Sequence, residues 1–266
     1  MERKLNFLDY LRVDMRRAIC SWKFLMGVAG VSMVMYIASL EGIASDTSVV
    51  YVVWLIVYGM LFMLSLVFSV FPFVCCFCED FEQKYGYLQI ERGNLRSYTC
   101  SKVLTIMLVS ACTMMLGMLL YVSFLHLQLP WFREDEAICQ SALTVGGFRW
   151  ILKKKWYFLY FACFGLQYGI LAGISALLAA FVSLFVNNKL LTLSVPFIGF
   201  YFISYYSRAL FGNVEQINLI YIFNATYNIW NHDIYSFGYA VLVGVIFSVI
   251  FERLIYMKLK RKMNYE

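Results

Sequence analysis

Six apolar runs, residues 24–40, 49–71, 103–129, 156–186, 190–206 and 234–251, contain no Asp, Glu, Lys or Arg. Each is near or above the roughly 17–25 residues that an α-helix needs to cross a bilayer. A water-soluble fold has no place for so many uninterrupted apolar segments. The chain is 62% hydrophobic, against roughly 45–50% in an average soluble domain. The expected fold is therefore an all-α integral membrane protein with six transmembrane helices. Residues 1–23 precede the first helix, 24–255 form the membrane domain, and 256–266 form a basic tail.

Six crossings put both termini on one side, and the distribution of basic residues says which. Lys and Arg near span ends are retained in the cytoplasm. With the N-terminus inside, sixteen of the 22 basic residues fall on the cytoplasmic side and six, Arg133, Arg149, Lys153, Lys154, Lys155 and Arg208, fall outside. The run 153–155 is a local exception to this rule. The first apolar run starts only at Phe24 and is followed by further spans, so no cleavable leader is expected. Under this topology only Cys139 of the eight cysteines lies clearly in an outer loop, which argues against disulfides within the chain.

Ahead of the first span, Leu5, Leu8, Leu11, Met15 and Ile19 recur at helical spacing, with Arg12, Asp14, Arg16 and Arg17 on other faces. This predicts an interfacial helix with its arginines near anionic headgroups. The second run continues past Pro72 into Cys75-Cys76-Phe77-Cys78, too long for one straight crossing, and Pro72 is the expected break. The three cysteines lack a histidine or second pair to complete a zinc site and read as small apolar packing groups.

The cytoplasmic loop 79–102 is the most charged segment between two spans. Phe81, Tyr85 and Leu88 at helical spacing predict a short amphipathic helix, ended by Gly93-Asn94. In the fourth run, Gly165, Gly169 and Gly173 recur at intervals of four, with Ala172, Ala176 and Ala180 forming a second row beside them. Small residues at such spacing let helices approach closely in lipid, within the chain or across a dimer. The outer loops are 130–155 and 207–233. The second holds a short apolar island at 217–223, expected to re-enter the membrane or lie on it, and the triplet Asn224-Ala225-Thr226, a glycosylation acceptor only in a eukaryotic secretory route.

Ion-coupled transporters place ionisable side chains at membrane depth, and the span cores here have none. The two histidines, His126 and His232, fall in different outer regions and assemble no metal site or catalytic triad. No G-x-x-x-x-G-K-[ST] loop is present to bind nucleotide phosphates. Transport by such a chain would need energy from another subunit.

The layout resembles the membrane subunits of type-2 ATP-binding-cassette (ABC) exporters: a basic surface helix, six spans, a charged helix in the first cytoplasmic loop, and an apolar insertion before the last span. Glu82, Gly86, Arg92, Arg96, Tyr98 and Ser101-Lys102 look like that family's acidic residue, glycine, basic turn and serine-lysine entering span three. Ser183, Asn187-Asn188-Lys189 and Pro196 look like its tight turn between spans four and five. The resemblance implies a multi-pass permease in a cell membrane, with a bacterial plasma membrane expected and both termini cytoplasmic. A second permease subunit, identical or different, and two cytoplasmic ATPases would complete the assembly in surrounding lipid, with no nucleic acid involved. This chain would hold no cofactor, since ATP and Mg would bind the ATPases. Glu82, Tyr85, Gly86, Leu88, Arg92 and Arg96 would form the coupling contact. The substrate expected of an uncharged aromatic passage is lipid-like, peptidic or a hydrophobic drug. A membrane scaffold or sensor recruiting a cytoplasmic partner is the alternative.

Overall fold

A computed structural model describes residues 6–40, 42–43, 47–91, 93–186, 188–211, 214 and 216–265, which form helices and turns without a strand. In chain order the helices are α1 (Phe7–Ile19), α2 (Trp22–Ser39), α3 (Val49–Val57), α4 (Phe62–Val70), α5 (Cys76–Glu82), α6 (Tyr85–Glu91), α7 (Leu95–His126), α8 (Ala137–Thr144), α9 (Arg149–Lys153), α10 (Tyr157–Ser183), α11 (Lys189–Phe211), α12 (Leu219–Phe223) and α13 (Asp233–Tyr265). Short polar side chains start many of them. Ser21 accepts from Phe24 N, Ser48 from Tyr51 N, Asn94 from Arg96 N and Asn218 from Ile220 N, satisfying amides that a first helical turn leaves unpaired.

Four helices, α2, α7, α10 and α13, are long and apolar enough to cross a membrane, or five if α3 and α4 count as one broken span. The fifth expected span falls on α11, which is not among them. It opens on Lys189, carries Pro196 in its interior, and its second half includes Tyr201, Ser204, Tyr205 and Tyr206.

The run 49–71 does not form one helix. α3 and α4 meet at 84°, and the break lies at Tyr58-Gly59-Met60-Leu61, well before Pro72. Pro72 instead marks the end of α4, where turns over residues 71–75 lead into α5. α7 begins at Leu95, ahead of the apolar run. Its 32 residues extend about 48 Å at 1.5 Å per residue, so its first turns project beyond a hydrocarbon core of about 30 Å. The basic tail is the continuation of α13, anchored by buried Ile255 and Leu259.

α10 is the central helix, with 67% of its apolar stretch buried against 17% for α13. It packs most extensively on α7, and the geometry explains why its glycines are needed. A Cβ at Gly165 would lie 3.0 Å from Met115 Cα, one at Gly169 2.7 Å from Ala111 Cα, and one at Gly173 2.7 Å from the Met107 sulfur. Two four-residue ladders therefore run antiparallel, backbone nearly against backbone, and the glycine row is a seam within the chain. Ala172, Ala176 and Ala180 are fully buried beside it.

The molecule has two distinct ends. At one, α1, α5, α6, the start of α7 and the end of α13 gather ionic side chains. At the other, α3, α9 and α12 bring aromatic side chains together around α8.

Candidate functional site

At the charged end the sequence builds a closed ion cluster. Tyr10, Asp14 and Ala18, four residues apart, form the buried stripe of α1, which packs on α7. Asp14 is 1% exposed and Lys102, on α7, is fully buried. Lys102 Nζ lies 2.8 Å from Asp14 Oδ1 and 2.7 Å from Asp80 Oδ2 on α5. Arg17 Nη1 closes the set 2.8 Å from Asp80 Oδ1. Two hydroxyls complete it: Ser101 donates to Asp14 at 2.7 Å and Tyr98 donates to Asp80 at 2.9 Å.

Two carboxylates and two cations make the cluster neutral, which is the condition for keeping such charges out of water. Burial alone would push the Asp80 carboxyl up, but Lys102 and Arg17 together outweigh it and hold the group below its usual range. Burial likewise opposes the Arg17 charge, and Asp80 overrides that as well.

Neighbouring contacts extend the lock. Tyr10 donates to the Gln89 carbonyl at 2.6 Å, and a Cβ at Gly93 would lie 2.0 Å from the Tyr10 hydroxyl oxygen. Only glycine lets the α6–α7 turn sit so close to α1. Lys23 pairs with Glu79, and Glu82 pairs with Lys189 at 2.6 Å, joining α5 to the start of α11. Lys262 lies over the Phe81 ring at 4.4 Å, which brings the end of α13 onto the same surface.

This arrangement corrects the expected single amphipathic helix. Lys84 adopts a left-handed backbone, φ 55°, and separates α5 from α6, so Phe81, Tyr85 and Leu88 do not share one face. Tyr85 is half-buried beneath the Arg17 guanidinium, 5.1 Å from the ring centre. Gly86 is buried among Phe81, Tyr98 and Asp80. Glu82 is occupied by Lys189. Of the expected contact residues, Leu88 and Arg96 face outward, Leu88 with 52% of its surface exposed. Arg92 lies outside the described residues, as do Leu5 and Asn187.

The arginines of α1 divide in the same way. Arg12 and Arg16 are exposed, whereas Arg17 turns inward to Asp80. Part of the apolar stripe faces away from the bundle, with Leu8 and Ile19 exposed, while Leu11 and Met15 are half-buried and Met15 packs on the core. α1 thus presents hydrocarbon outward and a carboxylate inward, the reverse of a helix lying on a soluble core. In the sequence Asp14 falls off the apolar stripe of α1 with the arginines, and Lys102 follows Ser101 at the entrance to the third span. A lone carboxylate four residues from both Tyr10 and Ala18, small or aromatic packing residues, is the signal that was present.

The aromatic end contains hydrogen-bonded ties rather than a buried ion cluster. Arg149 donates to the carbonyls of Thr144 and Asn231 at 2.5 and 2.6 Å, and Asp233 accepts from Trp150 N and Asn228. Arg149 is thus a strut between α9 and α13, while Lys154 lies over the Trp150 and Trp156 rings at 4.0 and 5.2 Å. The apolar island forms α12, held to α10 by Gln167 donating to the Ile222 carbonyl at 2.9 Å. Asn224 accepts from Tyr168 and Thr226, so its side chain fastens this loop. His126 stacks on Trp131 at 3.9 Å. Cys75, Cys76 and Cys78 are buried free thiols, and no group of three His, Cys, Asp or Glu residues able to hold a metal occurs among the described residues.

No protein-family model matches the chain, no curated protein matches it, and no solved structure matches it.

Proposed function

We propose that this chain is a permease subunit of an ATP-driven ABC exporter of the type-2 class. In this reading α2, the α3–α4 pair, α7, α10, α11 and α13 make six crossings, and the charged end faces the cytoplasm. An ATPase subunit docks on α5–α6, and a second permease subunit completes the passage. The observation that carries the reading is the fastening of α5 to both α1 and α7 through Asp80. A push on this surface reaches the long helix α7 through a buried ionic joint, which is what conversion of ATPase motion into helix movement needs. The outward surface left for a partner contains Leu88, Arg96, Gln83 and Lys84.

The substrate is hydrophobic or amphipathic. The apolar stretches lack fixed charge, so nothing there replaces the hydration shell of a small ion. The four ionic groups of the buried cluster neutralise one another.

The test is purification from native membranes followed by reconstitution. The expected result is a co-purifying subunit with a nucleotide-binding loop whose ATP hydrolysis responds to this chain. Leu88→Glu combined with Arg96→Glu abolishes that response without lowering the thermal midpoint. Solute flux through vesicles holding this chain alone, without nucleotide, would overturn the proposal. A recruited partner without ATPase activity would favour a scaffold.

A further inference from the structure

Between α2 and α7, towards the aromatic end, lies an open groove of about 400 Å³, at the small end of the roughly 300–1,000 Å³ of ligand sites. Its walls include Ala29, Met33, Leu120 and Phe124, and its polar groups are on Ser32 and Tyr121 within the groove and on Tyr36 and Gln128 at its edges. Tyr121 is 1% exposed and its hydroxyl makes no hydrogen bond. The Ser39 hydroxyl is close enough to be its nearest candidate partner, but it donates to the Tyr36 carbonyl at 2.6 Å, and the Tyr121–Ser39 pair lacks hydrogen-bond geometry. Ser32 lies beside Tyr121 in the groove. Ser65, Ser69 and Ser183 return their hydroxyls to the carbonyl three residues back, the usual way for a helix to hide a serine in an apolar setting. Ser32 has no such bond.

A buried hydroxyl without a partner is costly, and here one, on Tyr121, lines an apolar groove. We infer that the groove is a lipid site, taking an acyl chain along Met33, Leu120 and Phe124 and its ester carbonyl against the hydroxyls of Tyr121 and Ser32. The occupant is argued from where the groove lies. It opens between two membrane-length helices whose flanking side chains, Met33, Phe124 and Leu127, are exposed apolar groups, so the medium reaching it is lipid. Tyr121 is five residues from the end of α7, about 7 Å along the helix axis, a depth that an ester linkage reaches. No charged side chain lines the groove, so recognition is of the ester and chain rather than of a charged headgroup. The inference does not depend on the transport reading.

The test is photolabelling in vesicles of phosphatidylglycerol doped with the same lipid bearing a diazirine on one acyl chain. Labelled peptides from 29–36 and 120–128 are expected in excess over peptides from the open face of α13, which samples bulk lipid. Tyr121→Phe keeps the ring and should lower groove labelling roughly three- to tenfold, as loss of a hydrogen bond predicts. Ala29→Trp should abolish it by filling the groove, with α13 labelling unchanged in both variants. Groove labelling no greater than that on α13, or labelling indifferent to both substitutions, overturns the inference. Chain-to-chain crosslinks from 29–36 in place of lipid adducts would overturn it too, by seating a second copy there.

Discussion

The two halves of α7 are held by opposite means. From Tyr98 to Lys102 the helix is fixed by buried ions and hydroxyls. From Met107 to Met115 it is fixed by close approach to glycines on α10. The first mode needs matched charge in a particular geometry, whereas the second needs the absence of side chain. An ionic joint has discrete, directional partners and can serve as a hinge point. A glycine seam has dispersion contacts along its whole length and makes α7 and α10 one rigid unit. In the proposed transporter, this contrast puts adjustability at the charged end and stiffness in the bilayer.

The contrast is broken most directly at Lys102. Lys102→Met leaves Asp14 and Asp80 facing a single cation, and an uncompensated buried charge typically costs about 3–5 kcal/mol. A large fall in thermal midpoint in detergent is expected. Adding Asp14→Asn restores neutrality, because Asp80 keeps Arg17, and should recover a substantial part of the loss. A double variant no more stable than Lys102→Met would show that shape rather than charge balance holds the joint.

At the seam the counterpart is Gly169→Val. Its Cβ meets Ala111 backbone, which has no rotamer to turn aside, and overpacking of this kind costs about 1–3 kcal/mol. Gly238 on α13 is the matched control, since nothing lies within 4 Å of a Cβ there. Gly238→Ala should be neutral or stabilising, by up to about 1 kcal/mol from helix propensity. Equal destabilisation at both positions would mean that the α7–α10 contact does not set the cost.

How much of this was legible depends on whether the signal is local. The apolar runs around α2, α7, α10 and α13 announce themselves by length, and Gly165, Gly169 and Gly173 announce a close packing face by period. Gly93-Asn94 marks a break locally, whereas the cap that Asn94 makes at the start of α7 lies well ahead of the apolar run and was not announced by it. The ion cluster draws on positions 14, 17, 80 and 102 in three helices, and no local pattern links them. The break at 58–61 was hidden for another reason. The run is uniformly apolar on both sides, and Gly59 is a weaker mark than Pro72. The division of 79–91 into two helices turned on the left-handed backbone of Lys84, a residue type that seldom signals it.

Acid provides a graded test of the ionic half. The Asp80 carboxyl is held below its normal range, so its contribution is present above the unfolded value of about 3.9. It is lost as pH falls through the lower folded value. The unfolding midpoint of the native chain should therefore drop below about pH 4 by more than that of Asp80→Asn, which has no carboxyl to protonate there. Gly169→Val retains the cluster and should keep the native acid slope. The same slope in Asp80→Asn as in the native chain would remove Asp80 from the account.

The smallest stability change is expected outside both halves, at Leu88 and Arg96. These side chains face outward on the surface that the cluster holds in place, and exposed substitutions away from buried features stay within about 0.5 kcal/mol. Leu88→Ser and Arg96→Ala should leave the midpoint unmoved while weakening binding of the proposed ATPase subunit. Lys102→Met should weaken docking and stability together. The comparison therefore separates a docking surface from its mounting: loss of partner binding at an unchanged midpoint identifies the former, and loss of both identifies the latter. A substantial fall in midpoint from Leu88→Ser would place that residue in the mounting, leaving Arg96 to carry the contact.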